Sequence, residues 1–201
     1  MSQGGCIVVV EAASQSGITD PAQSTGLRAG AITSKDQAGT VASWPALANA
    51  AGLYAPNFPS GYINSAGDAI TVSSTAGADV GAFDPTVNFT SPLFSWNELT
   101  SLTTVTRSQG VTVTWKDAVP TTDVLIIGGS SNTQVVGLFI CVAPAEAGAY
   151  TVGSYITDQM PPGQGSLTLV NTTVPVPFTA TGLDRAWMAG EVTNSAFPVY
   201  N

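Results

Sequence analysis

The chain has 201 residues, a net charge of −8 and no histidine, and only 9% of its residues are charged. Five basic residues leave no patch for phosphate groups, so we expect no nucleic-acid partner. The absence of histidine excludes the Ser-His-Asp and Cys-His catalytic arrangements and histidine zinc sites. The length suits one large β domain or two sandwiches of roughly 100 residues each.

The N-terminal region predicts a first strand at Cys6–Glu11. Its apolar residues, Ile7, Val8, Val9 and Val10, form a shorter run than the ~7 residues of a signal-peptide core, so we expect no signal peptide. No run of about 20 apolar residues occurs, which predicts no membrane span. The first strand is rich in β-branched residues, so it is our candidate for strand addition onto another subunit's sheet.

Residues 1–91 form an irregular, Pro- and Ala-rich half with a few short β-rich runs. Four aromatic residues of this half cluster within a loop region: Trp44, Tyr54, Phe58 and Tyr62. Exposed and coplanar rings would indicate a sugar-stacking platform. The favoured alternative is that these rings are buried and close the end of a sandwich.

Two carboxylates lie five residues apart in the turn-rich segment Ala76–Pro85. With loop carbonyls, Asp79 and Asp84 could supply oxygen ligands to Ca²⁺. They could also act as an acid and base pair. The favoured alternative is turn chemistry, because aspartate stabilises bends by bonding to its own backbone. The sequence predicts no cofactor, and these two residues are its weak candidates for a metal site.

Residues 92–201 form a regular half, in which short β-branched runs alternate with turn signals. Val111, Val113 and Trp115 alternate with threonines, which predicts one apolar and one polar face. Such spacing is typical of an antiparallel, immunoglobulin-like sandwich. We therefore predict an all-β fold, with an immunoglobulin-like sandwich at 92–201 preceded by a smaller β-rich half at 1–91. The Gly-rich Ile127–Ser131 is predicted to be a hairpin turn, because no phosphate-loop signature follows it.

Two predicted strands, Gln134–Val142 and Ala149–Ile156, are joined by a short corner. Tyr150 begins the second strand, as in the tyrosine corner of immunoglobulin-like domains. This motif predicts a hydrogen bond from its hydroxyl to the backbone a few residues upstream.

The two cysteines, Cys6 and Cys141, both lie in apolar, strand-like runs. In an oxidising compartment a disulfide between them would stabilise the fold by ~4–5 kcal/mol through its effect on the unfolded chain. The alternative is two buried, reduced thiols.

A series of segments resembles uncharacterised secreted β-rich proteins of soil acidobacteria, and it covers nearly the whole chain. The segments are Cys6 with Asp20, Pro21 and Gly26–Gly30, then Gly77–Phe83, Thr106–Trp115, Phe139–Ile156, Met160–Gly163 and Phe178–Asp184. The resemblance implies export and a setting at the cell surface or in the matrix. It implies no activity. We expect no export signal in this sequence, which is a departure from the resemblance.

The low charge, the β-rich pattern and the lack of a catalytic constellation favour a non-enzymatic function. We predict an extracellular or cell-surface structural subunit that packs with copies of itself into a filament, layer or array. The alternative is a carbohydrate-binding or adhesive module that uses the loop aromatics. An enzyme is the least favoured class.

Overall fold

The computed structural model describes residues 4–13, 26–47, 52–64 and 67–201. Apart from two 3₁₀ turns (Arg107–Gln109 and Ala145–Ala147) and one short helix, α1 (Ser154–Thr157), the regular elements of these residues are strands. The predicted all-β fold class is confirmed. In chain order the strands are β1 (Cys6–Ala12), β2 (Ile32–Lys35), β3 (Val41–Trp44), β4 (Ala69–Ser74), β5 (Thr86–Asn88), β6 (Ser95–Trp96), β7 (Thr104–Val105), β8 (Val111–Lys116), β9 (Asp123–Ser131), β10 (Val135–Pro144), β11 (Ala149–Val152), β12 (Gly163–Thr172), β13 (Val176–Phe178), β14 (Ala186–Met188), β15 (Glu191–Ala196) and β16 (Val199–Tyr200).

The chain divides into two compact units, and neither is continuous in sequence. Unit 1 combines Met1–Ile18, Phe94–Thr172 and Glu191–Asn201, and unit 2 combines Thr19–Leu93 and Thr173–Gly190. The predicted boundary between 1–91 and 92–201 falls close to one crossing, at Leu93–Phe94. The structure corrects the rest of that division. The first strand lies with the second half because β1 pairs with β10, and local composition carries no signal of such distant pairing.

Unit 1 contains two sheets that enclose one apolar core. The larger sheet has the order β1-β10-β9-β12-β16-β7, and β15 also pairs with β12; the smaller sheet has the order β11-β8-β6. Val113 and Trp115 of the smaller sheet belong to the same buried cluster as Ile126, Phe139 and Leu169 of the larger one. Thr112 is exposed and Thr114 half-buried, so the predicted alternation along β8 is confirmed.

Unit 2 is built on a four-stranded sheet of order β3-β2-β4-β5 and a separate ribbon of β13 and β14. Its buried cluster consists of Ala42, Tyr62, Ile70 and Val72. This core contains fewer large aliphatic side chains than that of unit 1, and half-buried aromatic side chains pack around it. Burial of aromatic area therefore contributes much of its hydrophobic stabilisation.

The glycines of Ile127–Ser131 do not form the predicted hairpin turn. They belong to β9, which is a continuous strand as far as Ser131. The turn follows it, where Asn132 Oδ1 accepts hydrogen bonds from the backbone N–H groups of Gln134 and Val135, each at 2.9 Å. Gly128 is required within the strand because a Cβ there would meet the ring of Phe139 and, at 2.8 Å, Leu167 Cδ1.

The structure confirms the corner between β10 and β11, but its tyrosine does not bond as predicted. A 3₁₀ turn at Ala145–Ala147 carries the chain from the larger sheet to the smaller one. The Tyr150 hydroxyl donates to Gly4 O at 3.0 Å, 146 residues upstream, rather than to the backbone a few residues upstream. The strand also ends earlier than predicted, at Val152, and Tyr155 lies exposed on α1.

Candidate interaction surfaces

The first candidate surface is the edge formed by β1. β1 pairs antiparallel with β10 over its whole length, from Cys6 opposite Cys141 to Ala12 opposite Val135. It is the outermost strand of the larger sheet, and within the described parts of the chain no strand pairs with its other side. An edge strand without a partner leaves a row of backbone donors and acceptors available for another strand.

The register shows which backbone groups of β1 face outwards. The N–H of Val142 donates to Gly5 O at 3.1 Å, and the N–H of Ala13 donates to Gln134 O at 2.7 Å. Hydrogen-bonded pairs alternate with non-hydrogen-bonded pairs along an antiparallel ladder. The odd-numbered residues of β1 therefore direct their backbone groups towards β10. The even-numbered residues direct theirs towards the open edge: Cys6, Val8, Val10 and Ala12.

The side chains of β1 alternate between the core and the outer face of the sheet. Cys6 and Val8 pack against the buried core of unit 1. Ile7 and Val9 lie on the opposite face, where they are 50% and 44% exposed. Their partners in β10, Ile140 and Leu138, extend the same aliphatic face. This edge therefore combines open backbone groups with an apolar outer face.

Three contacts hold β1 firmly at its N-terminal end. A disulfide joins the two cysteines that the sequence singled out, Cys6 and Cys141, with a Sγ–Sγ distance of 2.04 Å. The backbone N–H of Gly4 donates to Val142 O at 2.8 Å. Tyr150 adds the hydrogen bond to Gly4 O described above. The edge is thus part of a covalently fixed sheet, which reduces the entropy that it would lose on binding a partner.

The second candidate surface is the aromatic cluster of unit 2, of which only one ring is strongly exposed. Phe58 is 43% exposed and stacks on Tyr62, with ring centroids 4.9 Å apart and planes inclined by 13°. Tyr62 is buried beneath it, and Trp44 meets Phe58 edge-on at 5.9 Å. The four predicted rings therefore do not form a coplanar platform.

Hydrogen bonds show that the other three aromatic side chains are built into unit 2. Trp44 Nε1 and the Tyr62 hydroxyl both donate to Ser34 Oγ, each at 2.9 Å. The Tyr54 hydroxyl accepts a hydrogen bond from the Ala29 N–H at 2.9 Å. Burial raises the pKa of the Tyr62 hydroxyl, and its hydrogen bond to Ser34 opposes that shift. Of these four rings, Phe58 alone remains available to stack on a ligand.

The predicted calcium candidates are not arranged as a metal site. Asp79 accepts two hydrogen bonds from Arg28, one from Nε at 3.0 Å and one from the backbone N–H at 2.9 Å. These bonds and the positive charge of Arg28 lower the pKa of the Asp79 carboxyl. Asp84 is exposed. Among the described residues, no group of three or more Cys, Asp or Glu side chains is placed to hold a metal ion.

Outside this cluster, Trp187 is one of the strongly exposed aromatic residues. It lies on β14, opposite Pro177 of β13, and is 68% exposed. A tryptophan beside small residues in a two-stranded ribbon gives a weak signal, because the same pattern occurs in buried strands. None of the four predicted aromatic residues lies in this ribbon.

Comparisons with known proteins show no family for this chain. No protein-family model and no curated protein matches the chain. One solved structure that is similar to this chain is a tetra-tandem repeat in the extending region of a large adhesion protein. The two share 18% sequence identity, with a TM-score of 0.28. The alignment covers 98% of this chain and 50% of that one. Because the TM-score is so low, this likeness carries no functional argument.

Among the helices of the described residues, none is long and apolar enough to cross a membrane.

Proposed function

We propose that the protein is a non-enzymatic extracellular subunit that packs with copies of itself into a structural or adhesive array. The observation that carries this proposal is the edge of β1, which within the described residues has no strand partner on its outer side and lies beside exposed aliphatic side chains. Soluble proteins commonly protect such edges with lysine, proline or a covering segment. In β1 the only charged residue is Glu11.

The disulfide supports the extracellular part of the proposal. Structural disulfides persist in oxidising compartments and are rare in reducing ones. The Cys6–Cys141 bond links a residue pair separated by 135 positions, so it fixes the overall fold rather than a local loop. The resemblance to secreted β-rich proteins favours the same setting and remains a prediction.

Electron microscopy and light scattering of the intact protein test this function. We expect ordered fibres, layers or defined oligomers under oxidising conditions at high protein concentration. Light scattering would then give a mass well above the 20.4 kDa of one chain. A clean monomer throughout the concentration range would overturn the proposal.

A second candidate, carbohydrate binding, is favoured by the exposed ring of Phe58 over Tyr62. Aromatic faces stack on the apolar faces of sugar rings, and the buried hydroxyl network below Phe58 would hold the ring in place. Replacement of Phe58 by Ala should then abolish glycan-array signals while the protein remains folded. A silent array with the unmodified protein would remove this candidate.

A further inference from the structure

We infer that β1 pairs antiparallel with β1 of a second copy about a two-fold axis at Val9. This inference rests on the proposed function and names the surface through which the copies meet. In this register Cys6 lies opposite Ala12 of the second copy, and Val8 lies opposite Val10. The larger sheet of one copy and the larger sheet of the other thereby become one continuous sheet.

The hydrogen-bonding pattern of β1, together with full overlap of the two strands, selects this register. The outward backbone groups belong to even-numbered residues, so a second strand must place even-numbered residues opposite them. A two-fold axis at Val9 satisfies this condition along the whole strand from Cys6 to Ala12. Each hydrogen-bonded pair exchanges two bonds, so every outward group of β1 gains a partner. A two-fold interface uses the same patch on both copies and closes on itself, so this pairing accounts for the dimeric unit of the proposed array and not for its extension.

The side chains of β1 agree with the same register. Val9 lies opposite Val9 of the second copy on the outer face, and Ile7 lies opposite Glu11. β-branched residues directly opposite each other pack well in antiparallel pairs. Glu11 is the only charged residue of β1, and this register keeps its two copies apart. A register centred on Glu11 would place two carboxylates opposite each other.

A cysteine at Val9 tests the position of the axis directly. On the proposed axis, the two Val9 residues form a non-hydrogen-bonded pair. The native Cys6 and Cys141 occupy a pair of this kind in the β1–β10 ladder, and they are bridged. Under a mild thiol oxidant, Val9→Cys should therefore give a covalent dimer on a non-reducing gel. Peptide mass spectrometry should assign the new link to position 9 of both chains.

The matched control is Val41→Cys, on the outermost strand of the four-stranded sheet of unit 2. Val41 is also an exposed edge-strand valine, at 60% exposure. We expect several-fold more covalent dimer from the variant at Val9 than from the control. If the protein assembles but the two cysteine variants give equal yields of covalent dimer, the inference is overturned and the proposed function stands. A wild-type protein that stays monomeric would overturn both.

A proline variant provides a second test that does not depend on thiols. Val10→Pro removes an outward-facing N–H, at an exposed position where an edge strand tolerates proline. Because each copy loses one donor, the dimer dissociation constant should rise by at least about tenfold. The control Val41→Pro should leave it unchanged. An unchanged constant in a folded Val10→Pro protein would contradict the β1 pairing.

Discussion

At the scale of single residues, two large side chains share the space above one glycine. Gly128 pairs with Phe139 on one side and with Leu167 on the other. All three lie at the centre of the larger sheet, where Phe139 and Leu167 are fully buried. The glycine leaves room for the ring, so the sheet can be closely packed where three long strands meet.

Replacement of Gly128 by Ala should therefore destabilise the protein by about 1–3 kcal/mol, the usual cost of overpacking a core. The free energy of unfolding from urea titrations measures this effect. Phe139→Leu supplies the second arm of a double-mutant cycle. The double variant should be more stable than the sum of the two single effects predicts. If the two changes in the free energy of unfolding simply add, the Phe139 ring is not the cause of the destabilisation by Gly128→Ala.

Glu98 is the second residue with a specific structural role. Its carboxylate accepts hydrogen bonds from Trp96 Nε1 and the Thr114 N–H, each at 2.9 Å, and from Thr114 Oγ1 at 2.5 Å. Burial alone would raise the pKa of this carboxyl, but these hydrogen bonds outweigh it, so the pKa lies below its usual value of 4.5. The charged form thus connects β6 to β8.

Because the folded-state pKa is lowered, Glu98 stabilises the fold above pH 4.5, and this contribution is lost as the pH falls through the lower folded value. Glu98→Gln should be less stable at pH 7 and should show a flatter loss of stability below pH 5. Thermal unfolding across this pH range measures both effects. Glu146→Gln, at an exposed carboxyl, is the control. If stability falls with pH in parallel for the wild type and Glu98→Gln, this role of Glu98 is contradicted.

At the scale of elements, β1 joins its sheet through one ladder and one disulfide. The closed loop spans 135 residues, so the bond should stabilise the fold by ~4–5 kcal/mol through the unfolded chain. Reduction should lower the urea midpoint by a corresponding amount. The double variant Cys6→Ser/Cys141→Ser should show no response to reductant. Equal midpoints for oxidised and reduced wild-type protein would show that the ladder alone fixes β1.

The sequence predicts elements well where the pattern is local. The alternation along β8 is visible in Val111–Trp115, because buried apolar residues and more exposed threonines follow one another directly in the sequence. The prediction fails where a distant partner determines the structure. The role of Gly128 depends on Phe139, and the bond of Tyr150 depends on Gly4. For the same reason, the four aromatic residues could be grouped by sequence, but only the fold shows which ring stays exposed.

At the scale of the whole molecule, the net charge of −8 opposes association of identical chains. Salt screens this repulsion, with a Debye length that falls from about 10 Å at 0.1 M to about 3 Å at 1 M. If copies associate through the apolar edge of β1, their assembly should strengthen with sodium chloride. Light scattering at constant protein concentration measures this. Dissociation by salt would instead indicate an interface held by ion pairs.

The order of segments in the two units also affects how the chain folds as it is synthesised. β1 is made before β10, with which it pairs, and β12 receives β15 and β16 only after Thr173–Gly190 has been made. Unit 1 therefore cannot close until Glu191–Asn201 has left the ribosome. Until then the aliphatic residues of β1 remain without their native strand partner. Chaperone protection of nascent β1 is thus most valuable during this interval.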